Sequence, residues 1–131
     1  MPPRFRLRHI PPLLLATIWT LGGTMSLFST PESALETFGF APSVASAPAA
    51  WPVIKLEGSR ITTIGVALWG MYLGGHVGAM DVLLAAVGWM AVIDGVVLRE
   101  YGIEGAVRKR VGYQGVVAVW GLLGMTRGAW I

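Results

Sequence analysis

Apolar residues run almost without interruption through four stretches of this chain, approximately residues 13–30, 60–78, 81–99 and 111–128. In each, the apolar positions cover the whole circumference of a helix and do not gather into one stripe. A helix that is apolar all round needs lipid or a large protein core around it. The pattern predicts an all-α fold, an integral membrane four-helix bundle that forms one domain across residues 1–131. Each stretch is at the short end of the ~20 residues that cross a bilayer. Boundary residues such as Ser29, Arg60 and Arg99 extend the ends into the headgroup layer, where long basic side chains snorkel.

The polar segments between the stretches predict the connections. Residues 29–59 form the long first loop, which opens on Ser29-Thr30-Pro31-Glu32: a capping residue, a proline at the first helical position and an acid in the first turn. A short interfacial helix ending near Gly39 is expected there, with Leu35, Phe38 and Phe40 resting on the membrane surface and residues 42–52 extended. Residues 74–81 make a tight helical hairpin, and residues 99–110, with Glu100, Glu104, Arg108, Lys109 and Arg110, make a solvated turn. Ahead of the first stretch, Arg4, Arg6, Arg8 and His9 form a basic tail that Pro11 and Pro12 separate from the helix. The small-residue pattern Ala45-Ser46-Ala47 lies too far beyond the apolar run to act as a signal cleavage site, so the first stretch is read as a retained span.

Composition sharpens this picture. Hydrophobic residues make up 54% of the chain and charged residues 13%, against ~25% charged in an ordinary soluble domain. The absence of cysteine excludes disulfides and thiolate chemistry. A net charge of +3, distributed at the ends of apolar segments, favours membrane phosphates over nucleic acid as partner. With four spans, Arg4, Arg6, Arg8 and Arg127 share one side, while Lys55, Arg60, Arg99, Arg108, Lys109 and Arg110 share the other, a small bias toward long loops facing the cytoplasm.

Few polar residues interrupt the spans, and a carboxylate inside one is costly unless paired, protonated or functional. Asp94 is that carboxylate. Folding the second and third spans back about residues 77–80 sets Asp94 within reach of Arg60, and Tyr113 and Gln114 begin the fourth span on the same side. Asp94, Arg60 and Tyr113 are therefore the candidate catalytic residues, with an ion pair from Asp94 to Arg60 or Arg99 as the purely structural alternative. Asp81 is expected to cap the third span, and His76 to lie beside it. One histidine and one carboxylate do not make a metal site, and no motif for a metal or cofactor is present. Trp19, Trp69, Trp89 and Trp120 fall inside spans, and Trp51 and Trp130 near ends, as core, interface anchors or the walls of an aromatic cavity. Small residues predict close packing along Thr63, Ala67, Gly70 and Gly74, along Gly88, Ala91 and Gly95, and at Gly124 and Gly128.

Gly58-Ser59-Arg60 leading to Gly65, and Asp94-Gly95 followed by Val96-Val97-Leu98-Arg99 and Gly102, together with Phe38-Gly39 and Pro42, resemble the small multi-pass membrane proteins of domain of unknown function 4267. The resemblance covers nearly the whole chain. The family pattern has an acid after the arginine of the second span and a histidine at the start of the fourth; here Ile61 and Tyr113 or Gln114 stand there. That family occurs mainly in fungi and bacteria; for a fungal member the resemblance implies an endoplasmic-reticulum membrane, and it implies a cyclase or isomerase of lipophilic terpenoid or polyketide metabolism, with Asp94 as the acid. Two other readings stand beside it: a non-catalytic protein that binds lipid or assembles through its glycine faces, as a homo-oligomer or with another membrane protein, and a transporter subunit.

Overall fold

The computed structural model describes residues 1–129, so Trp130 lies outside it. The chain is all-α, with seven helices among the described residues. Helix α1 (Ile10–Gly22) follows a single 3-10 turn at Leu7–His9 and carries Pro11 and Pro12 in its first turn, where their missing N–H groups would have no helical partner anyway. Two short helices come next, α2 (Met25–Phe28) and α3 (Pro31–Phe38). The Thr30 hydroxyl caps α3 by accepting from the Ser33 N–H at 3.2 Å, and Gly39 ends it with φ +116°, a left-handed conformation that glycine adopts without strain. The short helix of the first loop is where it was expected, but its apolar face does not lie open for a membrane surface: Leu35 is buried in a small core with Ala34, Ala45 and Ile54, against which Phe38 and Phe40 pack.

Residues 42–52 are not extended. They form α4 (Pro42–Ala45) and a 3-10 turn (Pro48–Ala50) that leads directly into α5 (Trp51–Leu73), because Pro42, Pro48 and Pro52 each occupy the start of a helical turn, where proline is favoured. The Trp51 indole N–H donates to the Ala45 carbonyl at 2.9 Å and holds this staircase together. Helix α6 (Val77–Tyr101) and helix α7 (Ala106–Leu122) complete the fold. Helix α7 starts five residues before the apolar stretch from 111 and stops well before 128, since Gly124 and Gly128 take φ of +65° and +80° and turn the chain. These two glycines are turn formers and not a close-packing face.

The four long helices alternate in direction. Helix α1 lies antiparallel to α5, and α6 antiparallel to α7, and these two pairs are the most extensive contacts in the molecule. Gly65 sets the first: a Cβ there would lie 2.6 Å from the Thr20 nitrogen and 2.8 Å from the Ala16 carbonyl oxygen. Gly88 and Gly95 face Ala118 and Val111 across the second, as the small-residue stripe on that span predicts. The stripe predicted on α5 points the other way. Gly70 has open space around it, and the inward line on α5 is Ile54, Gly58, Ile61, Gly65, Leu68 and Tyr72. The central core joins Leu15 and Trp19 of α1, Ile61 and Leu68 of α5, Leu84 of α6 and Val117 of α7.

At one end of the bundle the two long connections are joined. The Ala41 N–H donates to the Tyr101 carbonyl and the Ile103 N–H to the Gly39 carbonyl, both at 2.9 Å, around an antiparallel bridge between Phe40 and Gly102. At the opposite end Asp81 has a role other than capping α6, whose first residue is Val77. It is buried, and its carboxylate accepts from the backbone N–H groups of Thr126 at 3.0 Å and Arg127 at 2.9 Å, which fastens the C-terminal turns to α6. His9 also belongs to this end. It is buried edge-on against Tyr72, with ring centroids 5.3 Å apart, and is more than a member of the basic tail.

Burial, with Arg8 and then Arg6 nearby, lowers the His9 pKa against the opposing pull of the Thr126 backbone and Asp81. The fold therefore favours neutral His9, and the unfolded chain binds the extra proton first as pH falls. Stability in detergent micelles is expected to decline as pH drops below the ordinary histidine value of 6.5, and His9→Gln should flatten that part of the profile. A wild-type melting temperature constant from pH 7.5 to 5.5 would contradict this.

Among the described residues α6 is the one helix long and apolar enough to cross a membrane. Helix α5 is about as long, ~34 Å at 1.5 Å per residue, but carries Lys55, Glu57 and Arg60 in its first turns. Helices α1 and α7 are ~20 and ~25 Å. Large apolar side chains nevertheless point outward from all four, among them Leu14, Val66, Leu73, Val96, Val119 and Leu122.

Candidate functional site

Beneath the joined connections, α1, α3, α5 and α7 leave a cavity of about 170 Å³ whose wall includes Trp19, Phe38, Glu57, Gly58, Arg110 and Tyr113. The residues reach it from four elements. Trp19 lies one turn from the end of α1, Phe38 at the end of α3, Glu57 in the polar first turns of α5, and Arg110 and Tyr113 in the first two turns of α7.

Arg110 organises the cluster. Its Nε donates to Asp94 Oδ2 at 3.1 Å, the one ion pair among the described residues, with both side chains largely buried. The Gln114 amide donates to the same oxygen at 2.9 Å. The Phe38 ring covers the guanidinium, its centroid 3.3 Å from Cζ, and Phe40 stacks behind Phe38. With Nε occupied, the terminal guanidinium nitrogens supply the remaining N–H donors. Trp19 Nε1 donates to the Tyr113 hydroxyl oxygen at 3.2 Å.

Glu57 lies ahead of the apolar stretch that begins at residue 60. Burial pushes its pKa up and the charge of Asp94 adds to the effect, against weaker opposition from Arg110 and Arg60. A second cavity, of about 380 Å³, lies on the other side of Phe38, Ile54 and Glu57, where Asp94, Val97 and Tyr101 help line it. The polar cluster thus stands between two mainly apolar spaces.

Of the residues expected from the sequence, the structure brings Asp94, Tyr113 and Gln114 to this end of the bundle and leaves Arg60 outside. Arg60 is exposed on α5, and the cation beside Asp94 is Arg110 instead of Arg60 or Arg99. The reason is the hairpin that dominates. Helices α6 and α7 fold back about Gly102 and Ile103, which sets residue 94 opposite residue 110 and Gly95 against Val111. The missed residues are Glu57, Arg110 and Phe38, while Trp19 lines the cavity as one of the roles expected for the tryptophans within spans. Applying the fold-back argument to the third connection as well as the second would have found Arg110, and the inward spacing of Ile54, Gly58 and Ile61 would have marked Glu57 as a residue at the border of the buried face.

The fold and cluster define a helical protein with a half-buried acid and a fixed cation at one end of a largely apolar bundle. The chain belongs to the DUF4267 family, a domain of unknown function, whose model matches residues 16–124. No curated protein and no solved structure matches it.

Proposed function

We propose that this is a four-span integral membrane protein that holds a lipophilic small molecule in the Glu57–Arg110–Tyr113 cavity and isomerises or cyclises it by proton transfer. The observation that carries the reading is the presence of an acid with a raised pKa and a fixed guanidinium in the wall of the same cavity. The outward apolar faces of all four long helices support the membrane setting.

The chemistry follows from the roles the residues can play. Asp94 accepts two hydrogen bonds on one oxygen and thereby positions Arg110. Glu57 is the acid in this geometry, in place of Asp94. Its carboxyl proton passes to a carbonyl oxygen of the substrate as the C=O π electrons shift onto that oxygen, which Arg110 stabilises by hydrogen bonding. A proton then leaves a neighbouring carbon, its C–H electron pair becoming the new double bond, and returns to the Glu57 carboxylate. No other reactant is consumed, which makes the step an isomerisation; in the cyclase form an alkene π pair of the same molecule attacks the protonated carbonyl carbon to form the ring bond before the carbon-bound proton is lost. Terpenoids and polyketides are substrates of suitable polarity.

The test is turnover of polyene and terpenoid ketones by the purified protein in lipid nanodiscs. Glu57→Gln is expected to lower the rate ~100-fold, as loss of a general acid does, and to leave ligand-induced change in Trp19 fluorescence in place. The wild-type rate should fall as pH rises through the elevated Glu57 pKa, because the proton donor is lost. Unchanged turnover in Glu57→Gln would remove the proposed acid.

A second reading, assembly through a helix face, is favoured by a shallow groove along α7 where Gly112 and Gly115 have open space and Val116, Val119 and Trp120 flank them. A second copy of the chain is the occupant this face suits, since small residues allow helices in lipid to approach closely.

A further inference from the structure

The 170 Å³ cavity is close to the ~150 Å³ that accommodates one benzene ring, and well below the 300 Å³ or more of an ordinary ligand pocket. A molecule held there must extend beyond it. On the other side of Ile18 and Tyr113 lies a groove of about 330 Å³ between α1 and α7, lined by Pro11, Leu14 and Leu15 from one helix and Val116 and Val117 from the other. Helices α1 and α7 touch far less than either touches its own antiparallel partner, which is what leaves the groove open. Apart from the Tyr113 hydroxyl its walls are hydrocarbon, and its rims, Leu14 and Val116, are exposed on the outward apolar surface.

The geometry points to this groove as a lateral portal from the bilayer, gated by Tyr113, for an amphiphile with a compact polar head and a single apolar chain. The inference rests on the proposed function and adds to it the shape of the substrate and its route. The head occupies the polar cavity and the chain lies along α1 from Ile18 toward Pro11, a run of ~10 Å at 1.5 Å per residue. The occupant is argued from polarity: Glu57, Arg110 and the Tyr113 hydroxyl gather at one end, and the walls become wholly apolar away from it. Tyr113 stands between the two spaces, restrained by the 3.2 Å bond from Trp19 and itself more than a third exposed. Rotation about its side chain gives up one long hydrogen bond and joins the spaces.

The full chain in phosphatidylcholine vesicles, loaded with a monoacylglycerol bearing a diazirine midway along its chain, tests this by irradiation and peptide mapping. Saturable labelling of Leu14, Ile18 and Val116 is expected, with a tenfold loss on adding excess unlabelled monoacylglycerol. Leu14→Trp and Val116→Trp, both at exposed rims that tolerate substitution, should each reduce the label about as much by filling the groove. Tyr113→Ala should move label inward to Trp19 and Glu57. Saturable label on Trp19 and Glu57 with none in the groove would overturn the portal and leave the proposed function standing. Uniform, uncompeted label over exposed α6 positions such as Val82, Val92 and Val96 would overturn the portal, and the turnover assay decides the proposed function separately.

Discussion

Replacing Asp94 with alanine should destabilise the protein by ~3 kcal/mol or more, because it leaves a largely buried guanidinium without its counter-charge. The Gln114 amide, fully buried, loses its acceptor in the same step. The double replacement Asp94→Leu with Arg110→Met should recover the part of that loss due to the unpaired guanidinium, since two apolar side chains of similar volume ask for no pairing beside Phe38 and Val97, while Gln114 remains without its acceptor. Reversible unfolding in mixed micelles followed by circular dichroism measures both. The double variant is expected to be stable and inactive, which separates the structural part of the Asp94–Arg110 pair from its part in the cavity. If the double variant were as unstable as the single one, the pair would be contributing something other than mutual neutralisation.

The second large effect is expected at Gly65. A methyl group there would fall within 3 Å of the backbone of Thr20 and of Ala16, and two helix backbones cannot give way as a flexible side chain can. Gly65→Ala should cost at least ~3 kcal/mol, the upper range for overpacking, and Gly65→Leu should prevent α1 from docking. Gly70→Ala, one and a half turns further along the same helix, meets nothing and should gain up to ~1 kcal/mol from helix propensity. Equal sensitivity at the two positions would mean that α1 and α5 do not pack in the register described.

The contrast between these two glycines also shows how far the sequence could be read. An all-α chain, the capped helix at Pro31–Phe38 and the tight turn after Leu73 are legible, because capping chemistry and apolar runs are local properties of the chain; the first apolar stretch, by contrast, stops being α1 at Gly22, and among the described residues only α6 is long and apolar enough to cross a membrane. The inward face of each helix is not local. On α5, two glycine-containing lines at helical spacing compete, one through Gly70 and Gly74 and one through Gly58 and Gly65, and only the partner helix decides between them. The candidate site has the same history. Asp94 is conspicuous because a carboxylate in an apolar run is rare, whereas Arg110 is hidden beside Arg108 and Lys109 in a segment whose charge predicts a solvated turn, although α7 begins at Ala106. Glu57 was hidden similarly, by a loop assignment that ended at residue 59 when α5 begins at Trp51.

The division of the bundle into two tight pairs bears on how such a fold can diversify. The α1–α5 and α6–α7 pairs each have their own close backbone contacts, and the polar cavity and the α1–α7 groove both lie along the seam between the pairs. Seam residues such as Ile18, Met25 and Val116 can therefore change without disturbing the glycines that fix either pair. Selection for a new ligand can act on one set of positions while selection for folding acts on another, and a lineage can exchange the first set while keeping the second.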